Sequence, residues 1–299
     1  MATLYTHKDS NIAKTWILMT LFFVVVIALG WFFSYALNQQ AILYVAVFLS
    51  VAMNIASYWY SDKLVIAMTR ARPITRESAP EFWNVVENLS ITAGLPMPKV
   101  YIVEDPSPNA FATGRNPEHA AIAATTGLLS LMNKTELEGV IAHELSHVGN
   151  RDSLLMTSVV VLVGFVTLLS DFFMRSMMGG GSHGGDRDRG NAQVIFLIIG
   201  IVLAILAPIV ATLIQLAISR KREFLADASG SLLTRYPEGL ASALEKLKTN
   251  ARPMKTANRA TAHLFISNPF GGNGALRGMS KLFMTHPPLE ERIRLLRES

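Results

Sequence analysis

The sequence contains no cysteine. Disulfides and thiolate metal ligands are therefore excluded, and any metal site must be built from His, Asp or Glu. Charge is scarce too: Asp, Glu, Lys and Arg make up 16% of 299 residues against 51% hydrophobic residues. That balance favours membrane spans over two ordinary soluble domains. Four runs hold no Asp, Glu, Lys, Arg or His at all: Trp16 to Leu37, Ala41 to Tyr60, Leu154 to Ser170 and Val194 to Ile218. At ~1.5 Å of helical rise per residue each can cross about 30 Å of hydrocarbon, the third only just. The first run is longer than the roughly 7 to 15 apolar residues of a signal peptide and is followed at once by another, so it reads as an uncleaved anchor.

The connector Asn38-Gln39-Gln40 has no charge, whereas Lys8 and Lys14 precede the first run and Lys63, Arg70, Arg72 and Arg76 follow the second. Arg151 precedes the third run and Arg220, Lys221 and Arg222 follow the fourth, while the loop between balances Asp171, Asp186 and Asp188 against Arg175, Arg187 and Arg189. The excess of positive charge on the cytoplasmic side then puts both connectors outside and the rest of the chain inside. The formal charge is +5, but no basic arm with interleaved aromatics accompanies it. Anionic lipid accounts for basic residues beside the spans, and no nucleic-acid partner is expected.

Between the membrane pairs, Pro80 to Leu89 reads as a helix with Phe82, Val85, Val86 and Leu89 at helical spacing, and Lys99 to Val103 as a strand. Asn109 to Thr113 and Ala120 to Thr126 are further extended candidates. Met178 to Gly190 is a glycine-rich connector. Helices are expected from Ser219 to about Leu233, near Glu238 to Leu247, and through Glu290 to Leu296. The soluble pieces, roughly 90 and 80 residues, are each thin for an independent core, so together they read as one domain interrupted by a membrane hairpin.

Chemistry concentrates in Ala142 to Asp152, AHELSHVGNRD. Thr135-Glu136-Leu137-Glu138 has the capping-box form, which predicts a helix from about Glu136 through Asn150. Leu137, Val140, Ile141, Leu145 and Val148 gather on one face, His143 and His147 lie one turn apart on its flank, and Glu144 falls inside the apolar face. A carboxylate there is costly to desolvate unless a partner meets it. Imidazoles at i and i+4 can share one ion at about 2 Å, and the glutamate beside the first can serve as base toward water. A catalytic zinc usually takes three protein ligands. Glu223, four before Asp227 on a helix that continues out of the fourth run, is the leading third; Asp152 and His286 are rivals. By themselves, Asn109-Ala110-Phe111 reads as well as a turn before a strand, and His286-Pro287-Pro288 as a helix start.

His143 to His147, the Glu223 and Asp227 pair, NAFATGR at Asn109 to Arg115, GLL at Gly127 to Leu129 and THPPLEERI at Thr285 to Ile293 together resemble the HtpX-type membrane zinc metalloproteases, a group related to the prenyl-protein endoproteases. The resemblance implies an α-helical membrane protein with a mainly α (α+β) zincin-like domain and four transmembrane helices in two hairpins. Residues 1–61 would form the first hairpin (spans 16–37 and 41–60), 62–153 plus 219–299 the protease domain, and 154–218 the second hairpin (spans 154–170 and 194–218). It implies one zinc ion on His143, His147 and Glu223, Glu144 as the base, and Asp227 orienting a liganding histidine. It also implies Asn109 and Ala110 on a substrate-binding edge strand, His286 at the oxyanion and Arg292 as its partner. The implied role is membrane-protein quality control under stress, at the cytoplasmic face of a bacterial inner membrane, with membrane or misfolded polypeptides as substrates.

Since His147 lies seven residues before the third run and Glu223 five after the fourth, straight helices would set the metal only ~10 Å from the hydrocarbon edge. A metal-binding transporter is the rival class, but transporters place ionisable groups within their spans and these runs have none. An inactive scaffold is the other rival, and Glu144 argues against it.

Overall fold

The computed structural model describes residues 4–36, 38–179, 200–202, 205, 206, 219–258, 260–271 and 287–299. Two long apolar helices open the chain, α1 (Leu4–Ala36) and α2 (Gln40–Trp59). Their segments Lys8–Ala36 and Gln40–Trp59 are long and apolar enough to cross a membrane. Short α3 (Ser61–Thr69) stops at Arg70, whose φ of 55° ends the helix in the left-handed conformation. After β1 (Arg72–Pro73), α4 (Pro80–Ala93) starts on a proline whose missing N–H costs nothing there and stops at Gly94, φ 65°.

The strands β2 (Lys99–Val103), β3 (Ala110–Thr113) and β4 (Ala121–Thr125) complete a sheet of order β1-β2-β4-β3. β2 runs parallel to β4, whereas β3 pairs antiparallel with β4 and forms one edge. Alternate residues of this sheet serve two apolar clusters, as the two-residue period of a strand requires. Val100, Ala110, Ala112, Ile122 and Ala124 join the cluster around α4 and α6 (Lys134–Gly149), the helix that carries the histidines. Val103, Phe111 and Ala123 join the cluster that holds Leu18 and Phe22 of α1 and Met53 of α2. The sheet is thus a partition between a layer built on α4 and α6 and a layer that joins the long apolar helices.

Between β4 and α6 lies the short α5 (Thr126–Leu131). The start of α6 differs from the sequence expectation by two residues. Asn133, not Thr135, is the cap: its side chain accepts from the Glu136 amide at 2.9 Å and Glu136 Oε2 accepts from the Asn133 amide at 2.8 Å. The Thr135 hydroxyl instead donates to Asn133 Oδ1.

At the far end of α6 the chain breaks at Asn150 and Arg151, the latter at φ 61°, and α7 (Asp152–Gly179) leaves at 82°. The bend removes the premise that a residue count from His147 measures depth in the membrane. Leu155, Val159, Val160, Leu162 and Val163 of α7 are buried in the same cluster as α1 and α2. Of the four expected spans, two helices qualify outright among the described residues, and the bent pair of α6 and α7 makes a third only if counted as one. The fourth run and the glycine-rich connector lie largely outside the described residues.

Among the described residues after 218, the α-helices are α8 (Arg220–Thr234), α9 (Pro237–Thr249) and α10 (Leu289–Glu298). Both α8 and α9 press against α6 where a glycine lets the backbones meet. A Cβ on Gly230 of α8 would lie 3.0 Å from the His143 nitrogen, and one on Gly139 of α6 would lie 2.6 Å from the Leu240 nitrogen of α9.

Candidate metal centre

The crossing of α6 and α8 at Gly230 brings Glu223 of α8 over the two histidines. The Nε2 atoms of His143 and His147 lie 3.2 Å apart. Glu223 Oε1 is 3.6 Å from His147 Nε2, and Glu223 Oε2 is 3.7 Å from His143 Nε2. Corners of a tetrahedron around an ion with bonds of ~2.0–2.1 Å are ~3.3–3.4 Å apart, so these three donors suit one such ion. The nitrogen and carboxylate donors are the kinds that zinc accepts, and all three residues are buried.

The outer nitrogen of each imidazole has its own carboxylate. His143 Nδ1 is 2.9 Å from Asp227 Oδ1, and His147 Nδ1 is 3.0 Å from Asp152 Oδ2. A carboxylate on Nδ1 holds the proton there and turns the Nε2 lone pair toward the common centre. Asp152, a rival for the third ligand by spacing alone, therefore sits behind His147 rather than beside Glu223. Arg292, fully buried in α10, grips Asp227 with two hydrogen bonds, Nε to Oδ2 at 2.8 Å and Nη2 to Oδ1 at 2.6 Å. Its Nη1 is 3.6 Å from Glu223 Oε2.

These charges set the histidines apart. Burial and then the Arg292 charge hold His143 down at about 4, against the pull of Asp227. Burial also lowers His147, but the Asp152 hydrogen bond and the charges of Glu223, Asp152 and Glu144 outweigh it and lift the group to about 9. Burial would raise Asp227, yet Arg292 and His143 bring it down to about 2, so it is ionised at neutral pH. Glu144 is buried at 2% exposure, and its charge acts on both His147 and Arg292.

Ala110 opens edge strand β3, which packs against α6, and Asn109 immediately precedes it. The Asn109 side chain donates to the Ser267 carbonyl at 2.9 Å and accepts from the Ser267 amide at 3.2 Å. The Ala110 carbonyl accepts from the Ile266 amide at 3.1 Å. The chain's own 262–267 segment thus lies along that end of the edge. His286 falls outside the described residues, and among these Arg292 is placed on Asp227.

Two contributors have no sequence signal. Asn11 of α1 and Arg222 of α8, 3% and 7% exposed, both reach Asp152. In sequence they read only as polar flanks of apolar runs.

A helix-borne histidine pair with an adjacent buried glutamate, completed by a carboxylate from a crossing helix, in a chain with two membrane-length helices, defines a membrane metallopeptidase. Residues 77–299 match Peptidase family M48, and the chain belongs to that family. It is 48% identical to the Protease HtpX homolog of Caldanaerobacter subterraneus subsp. tengcongensis, over 99% of this chain and 97% of that relative. The Protease HtpX homolog of Pyrococcus furiosus is 46% identical, over 95% of this chain and 94% of that one. The crystal structure of S. mikatae Ste24p is similar at TM-score 0.49 and 20% identity, over 95% of this chain and 67% of that chain.

Proposed function

We propose that this chain is a zinc-dependent endopeptidase that cleaves membrane proteins or misfolded polypeptides at the cytoplasmic face of a bacterial inner membrane, in quality control. His143, His147 and Glu223 hold one ion. Bound there, zinc supplies Lewis-acid polarisation of the peptide carbonyl and lowers the pKa of water. Glu144 takes a proton from the water whose oxygen bonds to the carbonyl carbon. As the C–N bond breaks, Glu144 passes that proton to the leaving nitrogen, so a carboxylic acid and an amine result, and the acid then ionises in water. Asp227 and Asp152 fix the two imidazoles, and Arg292 fixes Asp227. His286 is assigned to the oxyanion on resemblance alone.

The peptidase domain comprises 62–153 and 219–299, with 154–218 as a second hairpin and 1–61 as the first. Substrate adds as a strand to the β3 edge, with Asn109 and Ala110 at its rim once the 262–267 segment yields the Ala110 carbonyl. The carrying observation is the convergence of two Nε2 atoms and the Glu223 carboxylate within 3.2 to 3.7 Å, with Glu144 on the same helix. Family membership and Glu144 both favour this reading over a transporter or an inactive scaffold.

The Glu144→Gln variant tests it in detergent or vesicles. We expect one zinc per chain to be retained while cleavage of a membrane-protein substrate falls by at least the 10²–10⁴-fold typical of a lost general base. Cleavage at the wild-type rate would remove Glu144 from the role.

A further inference from the structure

Deepening the metallopeptidase reading, on which it rests, we propose that Asn11, on the first membrane-length helix, is a positioning residue of the metal centre. Asn11 lies at the start of the Lys8–Ala36 membrane-length segment and is 3% exposed. A buried carboxamide is costly unless its donors and acceptor are met, and here each is. Its Nδ2 donates to Asp152 Oδ1 at 2.6 Å and to the Asn150 carbonyl at 3.0 Å. Its Oδ1 accepts from Arg222 Nη1 at 3.4 Å, and Arg222 Nε lies 3.7 Å from the same Asp152 oxygen. Both neighbours of Nδ2 are acceptors, so the amide can face only one way.

The other oxygen of Asp152 is 3.0 Å from His147 Nδ1. The relay therefore runs from α1 through Asp152 to the imidazole whose Nε2 faces Glu223. Asn11 also grips the carbonyl of Asn150, next to the sharp bend where α6 gives way to α7. It thus restrains both the carboxylate and the turn that presents it. The matched peptidase region begins at residue 77, so this residue comes from outside it. A membrane anchor that only tethered the domain would have no reason to bury a carboxamide against the partner of a ligand.

The test uses the full chain in detergent micelles, with Asn11→Ala and Asn11→Leu set beside Asn54→Leu. Asn54, on α2, donates only within its own helix, to the Ser50 carbonyl at 2.8 Å, and serves as the control for losing an amide from the membrane hairpin. Zinc affinity is read by competition with a chelator, and ligand geometry by the visible spectrum of the cobalt-substituted protein. We expect both Asn11 variants to bind zinc about tenfold more weakly, as for loss of an outer-shell partner, with an altered cobalt spectrum, while Asn54→Leu matches wild type. Wild-type affinity and spectrum in either folded Asn11 variant overturn the proposal, as does an equal loss in Asn54→Leu. A wild-type chain that binds no zinc overturns the metallopeptidase reading, and this inference with it.

Discussion

The residues of the centre were legible in unequal measure. His143, Glu144 and His147 stand out because their chemistry needs a fixed local spacing, and one helix supplies it. Glu223 led on its place with Asp227 just after the fourth run, but spacing alone left Asp152 and His286 as rivals, and the role of Asp227 came from the resemblance. Asp152 was read as a rival third ligand; its place behind His147 instead depends on the left-handed Arg151, which turns the chain back. Asn11 was invisible, because its partners are 139 and 141 residues away.

Glu136 shows how an ion outside the centre tunes stability. Burial alone would raise its pKa, but Lys246, the Asn133 amide and the Ser242 hydroxyl together hold it below the ordinary 4.5. The pairing is present above that ordinary value and is lost as pH falls through the depressed one. Unfolding temperature should therefore fall on acidification below about pH 4.5 in the wild type and less steeply in Glu136→Gln, measured by circular dichroism across a pH series.

Among the elements, helices and strands with a clear period were placed within a few residues. β2 was read at Lys99 to Val103, as observed, and α8 to within a residue at each end. β1 and α3 were missed: two residues have no period, and α3 directly follows a span whose apolar pattern it continues. The end of α6 near Asn150 was read, but not the 82° bend into α7, because it is made by Arg151 in the left-handed conformation, which arginine seldom adopts.

The close approaches at α6 give element-scale tests of their own. In Gly139→Ala the new methyl would meet the Leu240 backbone nitrogen at 2.6 Å and Cα at 2.8 Å, atoms that cannot rotate aside. We expect a loss of about 1–3 kcal/mol, read as a lower denaturation midpoint. No loss would mean that α9 can slide on α6 freely.

For the whole molecule, composition alone announced membrane spans, and the first hairpin follows from its charge-free runs. The sequence could not tell that α7 lies buried against α1 and α2, because an apolar run looks the same beside lipid or beside protein. Reporter fusions at Gly184 and Lys255 test the second hairpin: opposite sides of the membrane are expected, and finding both inside overturns it.

The two-faced sheet carries a practical corollary for anyone wishing to crystallise the catalytic half. Removing α1 and α2 would strip Leu18, Phe22 and Met53 from the cluster that Phe111 and Ala123 share with α7, leaving the α7 face open, and would also strip Asp152 of Asn11. An excised domain would thus tend to self-associate and to hold its ion poorly, and repairing solubility by surface redesign would mend only the first defect.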